Sequence, residues 1–458
     1  MLFEEARAES SGAVRPAMAT HTLPLTETET RQTCGFVKIL ATGLGSRGPP
    51  AVLLAATASM TAPGSESRRI GSTEATAVIK LCSKPHGLMA SGAAIGHHQV
   101  WARDSMITLL GARFVEDGQI QSALRASIEL LSRKQAPNGQ IPNNVDSATL
   151  RPNFRAYADA GLWWIIGSSL IAPDEAVTSS ILRWYECQDV DQCGLISMQE
   201  GADWQDLFCT RGKGLYVNCL YVLALRAAGR HEAAAAVTEK INRNFWYSGD
   251  GNMLRHISHT FSTESQGERD SLGRKRWLPI KRYLVEEQYY VPWLGFRAVG
   301  EWFDSLGNLL AILSGVADES QAEKILDFIQ REDLASAPIR AIAPVIQPGD
   351  ADWREYYGTL NAPHCYHNGG VWPFIGGFYV AALVRCGRLR EAADALEKLT
   401  ALNAAGGFNE WHHGQTLAPL GVEAQAWSAG MYLFACECVR RSEVPEGFFG
   451  IGGGGHPL

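Results

Sequence analysis

Two short segments carry side chains suited to acid–base chemistry. Glu200-Gly201-Ala202-Asp203-Trp204-Gln205-Asp206 sets aspartates around a tryptophan in a stretch with no regular apolar period. Far downstream, Phe408-Asn409-Glu410-Trp411-His412-His413-Gly414 sets one carboxylate among aromatic, imidazole and amide groups. Cleavage of a glycosidic bond needs two carboxyl groups with opposite duties. One must stay protonated to deliver a proton to the leaving oxygen, and a carboxyl desolvated beside an indole has its pKa raised. Asp203 and Asp206 are therefore candidates for the acid and an auxiliary binder, with Trp204 as neighbour. Glu410 is the candidate base, with Asn409, His412 and His413 placed to orient it. The competing reading of the upstream segment is a solvated acidic loop. Adjacent histidines also suit a metal, but no third ligand at metal spacing follows, so neither a metal nor another cofactor is expected.

Further polar residues stand just ahead of helical patterns. In Trp101-Ala102-Arg103-Asp104-Ser105, Asp104 could be a helix cap worth about 1 kcal/mol, or half of an Arg–Asp grip on sugar hydroxyls beside Trp101. Asp159 in Tyr157-Ala158-Asp159 poses the same choice. Tyr366-His367-Asn368-Gly369-Gly370-Val371-Trp372-Pro373 concentrates polar and aromatic groups with two glycines, which reads as a ligand-contacting loop rather than a mere connection. The 13 tryptophans supply core packing and flat faces that complement a sugar ring.

The elements that must position these groups read as helices. Apolar residues recur at three- and four-residue spacing in Gln121–Leu131, and similar patterns begin near Glu74, Ser105, Ala158, Asp174, Tyr216, His231, Leu306, Gln321, Gly377, Leu389 and Ala424. Gly-, Pro- and Asn-rich connectors separate them. Strand-like alternation is scarce, and neither a βαβ rhythm nor GxGxxG occurs. Helices that begin with a polar aromatic motif and continue small and apolar, such as Asp159–Ile165, alternate with charged amphipathic ones such as Arg388–Leu396. The first kind belongs inside and the second outside. About six such alternations describe a mostly α fold, an (α/α)6 toroid whose inner-helix N-termini converge at one end. Residues 75–440 form this catalytic domain. Residues 1–74, rich in Ala, Ser, Thr and Gly, read as a flexible low-complexity extension, and 441–458 as a Gly-rich tail.

A net charge of −7 argues against nucleic acid or an anionic membrane as partner, and no run of about 20 apolar residues suggests a membrane span. The ten cysteines show no C-x-x-C pairing and suit a reducing, cytoplasmic compartment. A homo-oligomer is compatible with all of this.

These motifs resemble the six-hairpin glycoside hydrolases, and from Phe303 onward most closely the neutral/alkaline invertases. The matching stretches are Leu306–Ser314, Tyr366–Pro373 and Gln425-Ala426-Trp427-Ser428-Ala429-Gly430, with Arg103-Asp104 and Asp159–Ile165 upstream. The resemblance implies an (α/α)6 barrel and inverting hydrolysis, with a general acid before the third inner helix and a Glu base near the end. Glu410 takes the base position. Around the acid the invertase pattern is replaced by Trp204-Gln205-Asp206, similar to the Trp-Met-Asp of debranching-type α-1,6-glucosidases, which favours Asp206 over Asp203. The expected function is an inverting O-glycosidase acting on sucrose or a related α-glucoside. Trp101, Arg103, Asp104, Asp159, Trp204, His367, Asn368, Trp372, His412, Gln425 and Trp427 would bind the carbohydrate. The alternatives are a debranching-type α-1,6-glucosidase, a sugar isomerase or epimerase built on His364, His367, His412 and His413, and a sugar-binding module without catalysis.

Overall fold

The structure, a computed structural model, describes residues 65–155, 157–246, 268–269, 275–276, 288–295, 299–350 and 352–445. Of the extension expected over 1–74, residues 1–64 lie outside the described residues, as do 446–458 of the tail expected over 441–458, whereas 65–74 are helical rather than extended. Helix α1, Ser65–Cys82, begins ahead of residue 75.

Twelve helices of nine or more residues alternate along the described chain. The even-numbered ones are α2 (Ala102–Ala112), α4 (Ala160–Ile171), α6 (Leu215–Ala227), α8 (Ser305–Leu313), α10 (Pro373–Arg385) and α12 (Ala426–Arg441). They are largely apolar on all sides and mostly buried, which is what an inner helix requires. Between them run α3 (Gly118–Arg133), α5 (Glu175–Glu186), α7 (His231–Phe245), α9 (Glu319–Arg331) and α11 (Leu389–Gly406). These bury one stripe only; in α9 it is Ala322, Ile325, Leu326, Phe328 and Ile329.

The inner helices touch in the cyclic order α2, α4, α6, α8, α10, α12 and back to α2. This closed ring is the (α/α)6 toroid that the alternation predicts. Closure depends on two glycines. A Cβ on Gly111 of α2 would stand 1.9 Å from the Gly430 carbonyl oxygen of α12, and one on Gly430 would stand 2.6 Å from Thr108 Cα. Only bare backbone lets these two helices approach so closely.

Several helices start on side-chain caps. Asp117 accepts from Gln119 N and Ile120 N, Asp174 from Val177 N, and Asp318 forms a capping box with Gln321. Each of the first five inner helices turns into the next outer one through a short connection, as at 113–117 after α2 and 386–388 after α10, while longer loops lead back into the inner helices, so the inner-helix N-termini gather at one end. Short antiparallel pairs brace that end. Val100–Trp101 pairs with Asn144–Val145, Lys213–Gly214 with Trp293–Leu294, Phe303–Asp304 with Ile342–Ala343, and Trp411–His412 with Pro419–Leu420. The first three pairs lie directly before α2, α6 and α8, and so fix where the entering loops can go. No described helix is long and apolar enough to cross a membrane.

Candidate active site

Asp104 and Asp159 stand at the inner-helix N-termini, yet neither caps a helix. Asp104 lies inside the first turn of α2, whose N-cap position is Trp101, and Asp159 occupies the N-cap position of α4 without a capping hydrogen bond. Asp159 is spent instead on Arg103, whose Nη1 donates to Oδ2 at 3.1 Å, and on Tyr216, whose hydroxyl donates to the same oxygen at 3.0 Å. Trp163 Nε1 in turn donates to Tyr216 at 2.7 Å. The Asp104 and Asp159 carboxylates hold the buried Arg103 guanidinium firmly protonated against its desolvation. Asp104 Oδ2 lies 3.7 Å from Arg103 Nε, and both atoms are buried without a hydrogen-bond partner. Arg103 also sits 5.7 Å over the Trp427 ring.

The loop before α6 separates the two acid candidates. Asp203 is 2 % exposed, and its Oδ1 accepts from Gln205 N at 2.8 Å and Thr210 Oγ1 at 3.1 Å. Burial pushes its pKa up to about 7. The Asp206 side chain is 24 % exposed. Its Oδ2 accepts from the Tyr157 hydroxyl at 3.0 Å, and His367 Nε2 faces its Oδ1 at 3.5 Å. Burial pushes Asp206 up, but His367, the Arg103 charge and the Tyr157 hydrogen bond together hold it below the usual carboxylate range. Burial also lowers the pKa of His367 itself. Above acid pH its contribution is therefore a hydrogen bond more than a charge.

Glu410 precedes the Trp411–His412 strand, with 11 % of its side chain exposed. Burial raises its pKa, and the nearby charges of Asp206 and Asp104 add to the rise. Two groups oppose it: His97, whose Nε2 is 3.9 Å from Oε1, and Val422 N, which donates to Oε2 at 3.1 Å. The expectation that Asn409, His412 and His413 orient Glu410 is corrected here. None of the three is hydrogen-bonded to Glu410: His412 Nδ1 meets Leu417 O at 3.1 Å, His413 Nδ1 accepts from Gln415 N and Thr416 N, and Asn409 Nδ2 donates to Leu420 O, while His412 Nε2 and Asn409 Oδ1 are buried without a partner.

Aromatic rings fill the space between the acid and base segments. His367 stacks on Trp372 at 5.1 Å, with Trp204 edge-on to both. Trp427 stacks on Phe374 at 4.1 Å. Tyr366 touches His367, Trp372 and Trp411, and the charges of Glu410 and Asp206 both bear on its phenol. Trp372, Trp204 and His367 are almost wholly buried, so they form a floor behind the two candidate carboxylates. Gln425 Nε2, Trp427 Nε1, Trp101 Nε1 and His367 Nδ1 are buried polar atoms without a protein partner. Asn368 is fully used in shaping its loop, bonded to Ile346 N, Ile346 O and Asn361 O.

The structure thus brings Asp206, Glu410, Arg103, Asp104, Asp159, His367 and Trp427 into one electrostatic neighbourhood. It adds His97, Tyr157, Tyr216 and Tyr366. Composition gave no signal for His97; Tyr157 and Tyr366 stand inside the motifs already singled out. Away from this site, ligand atoms of Asp189, Asp191 and Cys193 gather within 4.8 Å. Lys213 takes Asp191 at 2.6 Å, and Asp189 accepts from Cys193 N and Gly194 N.

Comparison with known proteins bears on the family and the fold. A family model described as "Alkaline and neutral invertase" matches residues 237–441. Alkaline/neutral invertase E, chloroplastic, from Arabidopsis thaliana is 32% identical, over 78% of this chain and 69% of its own length. Probable alkaline/neutral invertase D of the same plant is 26% identical over 61% of this chain and 59% of its own. Cytosolic invertase 1 of Oryza sativa subsp. japonica is 32% identical over 61% and 56%. The chain spans about three fifths of the length of the first curated relatives it matches. Among solved structures, the mannosylglycerate hydrolase from Thermus thermophilus in complex with glucose superposes with TM-score 0.53 at 15% identity, covering 79% of this chain and 98% of that one. A bacterial glucoamylase complexed with acarbose gives 0.54 at 14%, covering 82% and 56%. At these identities the structures speak for the fold alone.

Proposed function

We propose that this chain, which belongs to the alkaline and neutral invertase family, is an inverting O-glycosidase that cleaves sucrose or a related α-glucoside. The observation that carries the reading is the contrast between two carboxyl groups in one aromatic-floored site. Glu410 has a free face beside His97, and Asp206 has a partly exposed face beside Tyr157. In this mechanism Asp206 gives its proton to the leaving oxygen while Glu410 takes one from the attacking water. Asp203 fits the acid role less well. Its higher pKa suits an acid, but a general acid must first reach the oxygen it protonates, and Asp203 is buried and bonded to its own loop. Arg103, Asp104, Trp101, Gln425 and Trp427 supply the polar and aromatic contacts that hold the sugar. A low apo pKa for Asp206 is compatible with this role, because a bound sugar excludes water and raises it.

A debranching-type α-1,6-glucosidase is the second reading, favoured by Trp204-Gln205-Asp206. A histidine-based isomerase is less well supported, because His412 and His413 are engaged in a turn and His367 faces a carboxylate. The described cysteines are all free thiols, which supports a cytoplasmic location.

The test is a panel of sucrose, isomaltose, trehalose, limit dextrin and mannosylglycerate, with NMR reading the first-formed anomer. Inversion at the cleaved centre is expected. Glu410→Gln should lower kcat by about 10²-fold or more with little change in binding. Retention, isomerisation without a second sugar, or an active Glu410→Gln variant would overturn the proposal.

A further inference from the structure

Glu200 and Arg211 stand at the two ends of the loop that carries Asp206. The neck of this loop is closed by backbone bonds from Gly201 N to Thr210 O and between Met198 and Gly212. Across the neck, Arg354 Nε and Nη2 donate to the two Glu200 oxygens at 3.0 Å each, a bidentate fork. Arg211 Nη1 adds a bond to Glu200 at 3.3 Å, reaches Asp352 at 3.5 Å through Nη2, and lies 3.9 Å over the Trp293 ring. The segment bearing Asp352 and Arg354 then lies along the acid loop. Tyr357 stacks on Phe208 at 5.1 Å and 11°, and Asn361 donates to Leu207 O at 2.7 Å while accepting from His367 N at 2.9 Å. The same segment therefore delivers His367 to Asp206. Asp206 is followed directly by two residues whose backbone or ring is held by this strap.

We propose that the Glu200–Arg354 ion pair is a positioning device that sets the reach of Asp206 toward the leaving oxygen, a role that rests on the hydrolase reading above. Partly exposed ion pairs contribute little to global stability. A two-pronged one at the neck of a catalytic loop matters because displacing a reacting group by about 1 Å can cost about 10²-fold in rate.

A change of leaving group separates this role from a general structural one. With a glycoside, the C1–O bond breaks as Asp206 protonates the departing oxygen, and the new C1–O bond forms as water loses its proton to Glu410. With the glycosyl fluoride of the same sugar, C1–F breaks and fluoride departs unprotonated. The base and water are still needed, and the acid is not. The experiment compares Arg354→Ala, Arg354→Lys and Glu200→Gln with wild type, on the panel glycoside that wild type cleaves fastest and on the matching fluoride. Arg354→Ala and Glu200→Gln should lower kcat on the glycoside about tenfold or more, with KM nearly unchanged. Fluoride hydrolysis should stay near wild type. Arg354→Lys keeps the charge but not the fork and should fall between. Equal losses on both substrates, or no loss on the glycoside, would overturn the positioning role. A wild type that turns over neither the panel nor the fluoride would instead sink the hydrolase reading.

Discussion

The phenol of Tyr157 donates to Oδ2 of Asp206 at 3.0 Å, and Tyr157 is itself buried two residues ahead of Asp159. One short segment thus serves both the proposed acid and the Arg103–Asp159 pair. The hydrogen bond favours the ionised carboxylate and helps to hold the Asp206 pKa down.

Tyr157→Phe removes that donor, so the Asp206 pKa rises. A general acid works in its protonated form, and activity is lost as pH climbs through its pKa. Because the bound sugar is what raises Asp206 into a working range, the alkaline limb of kcat against pH, which reports the enzyme–substrate complex, should move to higher pH in this variant. A limb that stays in place would detach Tyr157 from the acid.

His97 acts on the opposite partner. Its charge favours ionised Glu410 against a burial that raises the pKa. The base works in its ionised form, and activity is lost as pH falls through the Glu410 pKa. His97→Ala should raise that pKa further and move the acid limb of the profile to higher pH. An unchanged acid limb would show that His97 leaves the base untouched.

Asp304 couples the site to folding stability. It caps α8 through Gly307 N at 3.1 Å, while its other oxygen is buried without a partner. Burial, with the nearby Asp203 adding to it, pushes its pKa up to about 8. Between the ordinary carboxyl range and about pH 8 the folded chain keeps a proton that the unfolded chain has lost. Stability from this group is present at low pH and declines as pH rises through that window. Asp304→Asn keeps a capping side chain that does not titrate. Its Tm relative to wild type should therefore improve from pH 5 to pH 8, as read by thermal melts. A difference independent of pH would refute the assignment.

Ring closure gives a prediction independent of catalysis. Gly111→Ala would drive a methyl against the Gly430 carbonyl, where both sides are backbone and neither can turn aside. Overpacking of this kind costs about 3 kcal/mol. Chemical denaturation should show a lower midpoint, whereas Gly118→Ala, which meets nothing within 4 Å, should not be destabilised.

Much of the fold was legible in the sequence, because hydrophobic periodicity is local. Inner helices such as α4, apolar all round, and outer ones such as α9, with a single stripe, announce their layer in a dozen residues. The carboxylate segments were legible for the same reason: Glu410 and the Asp203–Asp206 loop carry their aromatic neighbours within a few positions. What each carboxylate does depends on partners distant in the chain. Capping was an equally good reading of Asp104 and Asp159 until Arg103 and Tyr216 were seen to claim Asp159. The choice between Asp203 and Asp206 turns on which of them the loop buries in its own backbone and which it turns toward Tyr157 and His367. Likewise His97 reaches Glu410 only because α12 closes against α2, which places the loops before those two helices side by side. Helix type follows from short-range pattern. The identity of a side chain's charged neighbours follows from ring closure, which only the tertiary structure decides.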